Sequence, residues 1–192
     1  MTKPYKILIF FLLASINAYG QEISKQVIYQ EVRPYGDVKI DSITKEVKIK
    51  KISNDEFSLI YTSHFGSNEY QQKFKFQFGD SKKSYRIKSE SDNELMEDSV
   101  QLNLIDKKSI NLYNKKYTIY KYLYNLKSVV DEETLIFFTK DFGIVMEKPI
   151  SWPGYRKLVQ FGDLNNQKIL NKLCEVILSD SNFFRNDQIK NK

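Results

Sequence analysis

The chain is short of the residues that staple, ligate and catalyse. It holds one cysteine, Cys174, and one histidine, His64, in 192 residues. A single cysteine cannot close an internal disulfide, so stability has to come from a hydrophobic core. A single histidine is too few for a catalytic triad with local support or for a histidine-built metal site. No glycine-rich phosphate loop and no dinucleotide fingerprint occurs. Asp141-Phe142-Gly143 spells the kinase metal-binding tripeptide, but the glycine-rich loop and catalytic-loop motif that must accompany it are missing. No Asn-x-Ser/Thr acceptor is present, which suits a bacterial envelope better than a eukaryotic secretory route. No apolar run approaches the ~20 residues needed to span a bilayer. No repeat and no linker divides the chain.

The longest apolar run is Ile7–Ala14, behind Lys3 and Lys6 and ahead of the small residues Ala18 and Gly20. Those three parts make a secretory signal peptide over residues 1–20, cut before Gln21. The mature chain, 21–192, is then one β-rich domain of ordinary size. The 30 basic residues lose two and the 24 acidic residues none, so net charge falls from +6 to +4. That excess is mild and interspersed, which is no nucleic-acid footprint. The expected location is the periplasm or the medium, and an integral membrane protein is not expected.

What the chain has in quantity is aromatic residues, with 13 Tyr, 13 Phe and one Trp. The stretch Lys115–Trp152 is the most apolar part of the mature chain. It carries three runs, Tyr117–Leu123, Thr134–Phe138 and Phe142–Met146, which read as a β-meander. Neither face of the first two runs is cleanly polar, so cover on both faces is expected. Gly143 is the expected bulge or positive-φ position. Upstream, strands are expected at Gln26–Arg33, Ile43–Ile52, Phe57–Tyr61, Tyr70–Phe78 and around Tyr85–Ile87. Phe74, Phe76 and Phe78 share one face and Lys73, Lys75 and Gln77 the other, the cleanest period of two in the chain. A turn of helix is expected at Glu94–Asp98. Val100, Leu102 and Leu104 alternate until Lys107-Lys108 breaks the run. After the turn Trp152-Pro153-Gly154 comes a last strand, Tyr155–Phe161. The period then changes. Asp163 caps a helix over about 164–179, with Ile169, Leu170, Leu173, Val176 and Ile177 on one stripe.

The expected fold is therefore mainly β: a curved antiparallel sheet, half-barrel or sandwich, of about 8–10 strands with one C-terminal α-helix.

Candidate chemistry is thin. His64 reads as a solvated turn residue, and Cys174 as a buried, inert thiol on the helix stripe. Asp131-Glu132-Glu133 and the group Asp92, Glu94, Glu97 and Asp98 read as solvated acidic turns without calcium-loop spacing. No cofactor and no metal is expected. The aromatic faces are the remaining signal, because rings in one register can line a cavity. The register chosen for an acyl or aromatic ligand is Tyr120, Tyr122, Leu135, Phe137, Ile144 and Met146, with the helix as wall or lid.

The segment from Lys115-Lys116-Tyr117 through Tyr120, then Phe137-Phe138-Thr139-Lys140-Asp141-Phe142-Gly143-Ile144-Val145, resembles a pattern in small exported proteins of Bacteroidota. The pattern covers about the C-terminal half. Some exported families with a similar hairpin look like the curved half-barrels of periplasmic lipoprotein carriers, which hold acyl chains between a concave sheet and helices. The resemblance implies export and a lipid or other apolar small molecule as ligand, and it transfers no site residue. Three functions follow as expectations. The first is an exported, non-enzymatic binding protein for an apolar ligand or an envelope protein partner. The second is a hydrolase using carboxylates such as Asp131 and Glu133. The third is a structural component of an envelope assembly.

Overall fold

The computed structural model describes residues 22–33, 39–65, 68–78, 84–88, 98–125 and 133–185. The leader, Asp131-Glu132 and the Asp92, Glu94 and Glu97 group lie outside them. Among the described residues period-two alternation builds ten strands: β1 (Glu22–Arg33), β2 (Lys39–Ser53), β3 (Glu56–Phe65), β4 (Asn68–Gln77), β5 (Ser84–Lys88), β6 (Asp98–Leu112), β7 (Lys115–Tyr124), β8 (Thr134–Thr139), β9 (Gly143–Pro149) and β10 (Tyr155–Phe161). Each pairs antiparallel with the next, and β1 pairs with both β2 and β10, so the curled sheet closes on itself as an up-and-down barrel. The closure is uneven. β1 and β2 run together over twelve pairs, whereas β9 and β10 are in register only at Arg156↔Glu147 and Lys157↔Met146.

Alternation decides what faces inward. Val27 and Tyr29 of β1, Val47 and Ile49 of β2, Leu59 and Tyr61 of β3, and Phe74 and Phe76 of β4 are all buried. The opposite register of β2 carries Glu46, Lys48 and Lys50, and that of β4 carries Lys73 and Lys75. This charged outer face is the reverse of a lipid-facing band. Among the described residues no helix is long and apolar enough to cross a membrane.

The sheet from β7 to β9 is covered on both faces. Phe138 of β8 stacks inside the barrel on Phe76, centroids 4.0 Å apart, while its neighbour Phe137 meets Phe183 outside. The outer cover is α1 (Leu164–Ser179), followed by a single turn, α2 (Ser181–Phe184). Asp163 caps α1 by accepting from the Asn166 N–H, and Asp180 caps α2 by accepting from Phe183. Leu170, Leu173, Cys174 and Ile177 form the buried stripe of α1. Lys121, on the outer face of β7, is fully buried beneath α2. Its ammonium donates to the Arg185 carbonyl and lies over the Phe183 ring.

Two sequence expectations change. Lys107-Lys108 does not break a strand: β6 runs from 98 to 112 and absorbs the misfit in a bulge between Leu104 and Asp106. Asp98 opens β6 and does not close a helical turn; the rest of that proposed turn lies outside the described residues. Gly143 is in the left-handed region at φ +73°, next to a register shift between β8 and β9.

Cys174 sits 4.0 Å from the Val145 carbonyl and 3.9 Å from the Leu158 carbonyl, above the gap between β9 and β10. Burial pushes its thiol up to about 11. A thiol reagent should leave the native protein unmodified and label it in denaturant. Burial favours the neutral thiol more strongly in the folded state than in the unfolded one. Its contribution is therefore intact below about pH 9, where the unfolded thiol begins to ionise, and is lost as pH rises toward 11. Rapid labelling of native protein, with stability flat across that window, would show that the thiol is not buried.

Candidate functional site

Seven rings fill the barrel toward the end that carries the Asn54-Asp55 and Lys140–Phe142 turns. Phe57, Phe76, Phe78, Tyr120, Tyr122 and Phe138 contact one another edge-on, tilted or stacked, and Phe74 stacks on Phe76. Toward the opposite end the described residues leave the interior unfilled. A cavity of about 540 Å³ lies there, within the range of small-molecule sites. Closed barrels of more than eight strands have interior room beyond what side chains fill.

The cavity has two kinds of wall. Phe74, Tyr124 and Ile136 form its apolar floor, and Pro149, Trp152 and Tyr155 its rim. Trp152 is 60% exposed, a large ring left in solvent at the mouth. The other wall is a row of charges across β1, β10 and β9. Arg156 pairs across the sheet with Glu31 on one side and Glu147 on the other, so the three side chains share the inner face. Arg156 NH1 donates to Glu147 Oε2 at 3.1 Å, and NH2 lies 3.7 Å from Glu31 Oε2. Arg33 Nε donates to the other oxygen of Glu31 at 2.8 Å. The Arg33 hydrogen bond, reinforced by Arg156 against the cost of burial, holds the Glu31 carboxyl below its usual range. Arg156 Nε is buried and has no acceptor.

Beneath the charged row lies a buried tyrosine pair. Tyr29 of β1 donates to the Ile144 carbonyl at 2.7 Å, and Tyr61 of β3 accepts from the Ile144 N–H at 2.9 Å. Burial drives both phenols above their usual range, so both remain neutral. Lys45 places its ammonium 3.4 Å from Gln72 Oε1 and above both tyrosine rings.

The structure divides the six residues of the expected ligand register. Tyr120 pairs with Phe138 and Tyr122 with Ile136, so both tyrosines face inward. Leu135 and Phe137 pair with Leu123 and Lys121 and face the helix side. Met146 is opposite Phe137, on that outer face, and Ile144 is fully buried at the register shift. Tyr120 and Tyr122 belong to the aromatic fill below the cavity, and none of the six lines it. The helix covers the outer wall and is no lid. His64 is exposed, and Glu133 is partly buried, accepting from Asn125 at 2.6 Å.

Glu31, Arg33, Glu147 and Arg156 were missed, and a signal for one of them was present. Glu31 shares its parity with Val27 and Tyr29, whereas Glu147 and Arg156 lie opposite the more apolar register of β9 and β10 in sequence, and β9 carries a register shift. A charge on the apolar register of a strand points into the core.

These features define an antiparallel up-and-down β-barrel, plugged by aromatic rings at one end and, among the described residues, holding a cavity toward the other. Comparisons with protein-family models, curated proteins and solved structures return no match for this chain.

Proposed function

We propose that the protein is an exported, non-enzymatic binding protein that holds one small amphipathic molecule in the open end of its barrel. The observation that carries the reading is the cavity itself, with aromatic and aliphatic groups on one side and fixed charges on the other. A molecule with an apolar body and a polar end matches both walls. Trp152 at the rim can close over the apolar part without a mobile helix. A hydrolase working through a carboxyl pair would need one carboxyl held protonated as a general acid. Glu31 and Glu147 are both tied to the guanidinium of Arg156, an arrangement that suits a binding wall.

Ile136→Trp is the test. Ile136 is on the cavity floor and pairs with Tyr122 and Glu147. A larger ring there fills the space from below. Native mass spectrometry of wild-type protein from its own host should show a mature chain starting at Gln21 and carrying an apolar-bodied small molecule. The Ile136→Trp protein should fold and lose the adduct. A wild-type protein that is always empty, or an adduct that survives the filled cavity, would refute the reading.

A further inference from the structure

We propose that the polar end of the bound molecule carries no net charge and is dipolar, with donor and acceptor together, as in a zwitterion or an amide. This rests on the binding reading above and sharpens it.

The charged wall alternates. Along it, Arg33, Glu31, Arg156 and Glu147 follow one another, each within ion-pair distance of the next. Among the described lining residues these are the only formal charges, two of each sign; Asp41, across the sheet from Glu31, acts on Arg33 from outside the lining. The order is fixed by strand register, because Glu31↔Arg156 and Arg156↔Glu147 are direct cross-strand neighbours. Lys45 is not part of this lining; its ammonium is turned to Gln72 and the tyrosine rings below.

An incoming carboxylate can reach a guanidinium only beside Glu31 or Glu147. An incoming ammonium can reach a carboxylate only beside Arg33 or Arg156. Either one adds an uncompensated charge to a partly enclosed, balanced row, and like-charge juxtaposition is costly there. A dipolar group lies along the row with each end on its complement and breaks no existing pair. It can accept from guanidinium N–H groups while donating to a carboxylate oxygen.

The test uses three probes of one alkyl chain length: a zwitterionic 2-amino acid, a carboxylate and a primary ammonium. Binding is read from the fluorescence of Trp152, the only tryptophan. In wild type the zwitterionic amino acid should bind about tenfold or more tighter than either charged probe. Arg33→Gln leaves the row one charge negative and should move the preference toward the ammonium. Glu147→Gln leaves it one charge positive and should move it toward the carboxylate. Arg33 is 53% exposed, so its replacement does not threaten the fold. A charged probe that binds tightest in wild type overturns the proposal. So does a preference order that neither variant moves. Equal binding of all three probes also overturns it while leaving the cavity reading intact; failure of all three to bind removes both.

Discussion

Gly143→Ala should be among the most destabilising single-methyl additions in this protein, costing about 3 kcal/mol or more. Two independent terms add. The residue sits at φ +73°, where an L side chain is strained whatever the space. The new Cβ would also lie 2.6 Å from Leu59 Cδ2 and 2.8 Å from the Tyr61 hydroxyl. Leu59 and Tyr61 are themselves buried, on the inner face of β3, and Tyr61 is tied to Ile144. Neither neighbour can withdraw without opening a void or losing a hydrogen bond. Gly162 supplies the comparison. Its φ is +71°, but an added Cβ meets only the ends of Asn166 and Lys25, each at 3.2 Å. Gly162→Ala should cost about 1 kcal/mol, the backbone term with little steric addition. Denaturant midpoints for the two variants separate the terms. Equal losses would show that the close approach to Leu59 and Tyr61 does not exist.

The second large effect should come from removing two oxygen atoms. Tyr29→Phe leaves the Ile144 carbonyl without its donor, and Tyr61→Phe leaves the Ile144 N–H without its acceptor. Each ring stays and keeps its packing, so the change isolates the hydroxyl. A buried backbone group left unpaired costs about 1–3 kcal/mol. The double variant should lose about 2–5 kcal/mol on the same scale, with the two losses not simply additive because the hydroxyls meet one residue. Chemical denaturation of the two single variants and the double decides it. Losses near zero for all three would mean that the Ile144 backbone is satisfied elsewhere.

The strand pattern was open to reading where, as in β2 and β4, the outer face is charged and the inner face mostly apolar. Lys48 and Lys50 against Val47 and Ile49 can be sorted by parity alone, as can Lys73 and Lys75 against Phe74 and Phe76. The helix was legible for the same reason at a different period, and Asp163 marks its start. The faces of β7 and β8 were not legible. Leu135 and Phe137 are as apolar as Ile136 and Phe138, because α1 and α2 cover one set and the barrel interior receives the other. Composition cannot choose between two buried faces; only the pairing Tyr120↔Phe138 does so. The site was hidden by distance in sequence. Glu31, Glu147 and Arg156 come together only when the chain's first strand meets its last, and no local window contains that closure.

The narrow joint between β9 and β10 has a consequence for how the barrel breathes. A seam held by two register pairs would ordinarily be where backbone amides exchange first. Here the N–H and C=O of Ile144 are held by phenols anchored on β1 and β3, and Cys174 of α1 covers the same gap from outside. Peeling β9 from β10 therefore means dislodging side chains rooted in the far wall and in the helix. Solvent exchange at the Ile144 amide should track loss of the whole barrel, and the thinnest part of the hydrogen-bond ladder is not where unfolding begins.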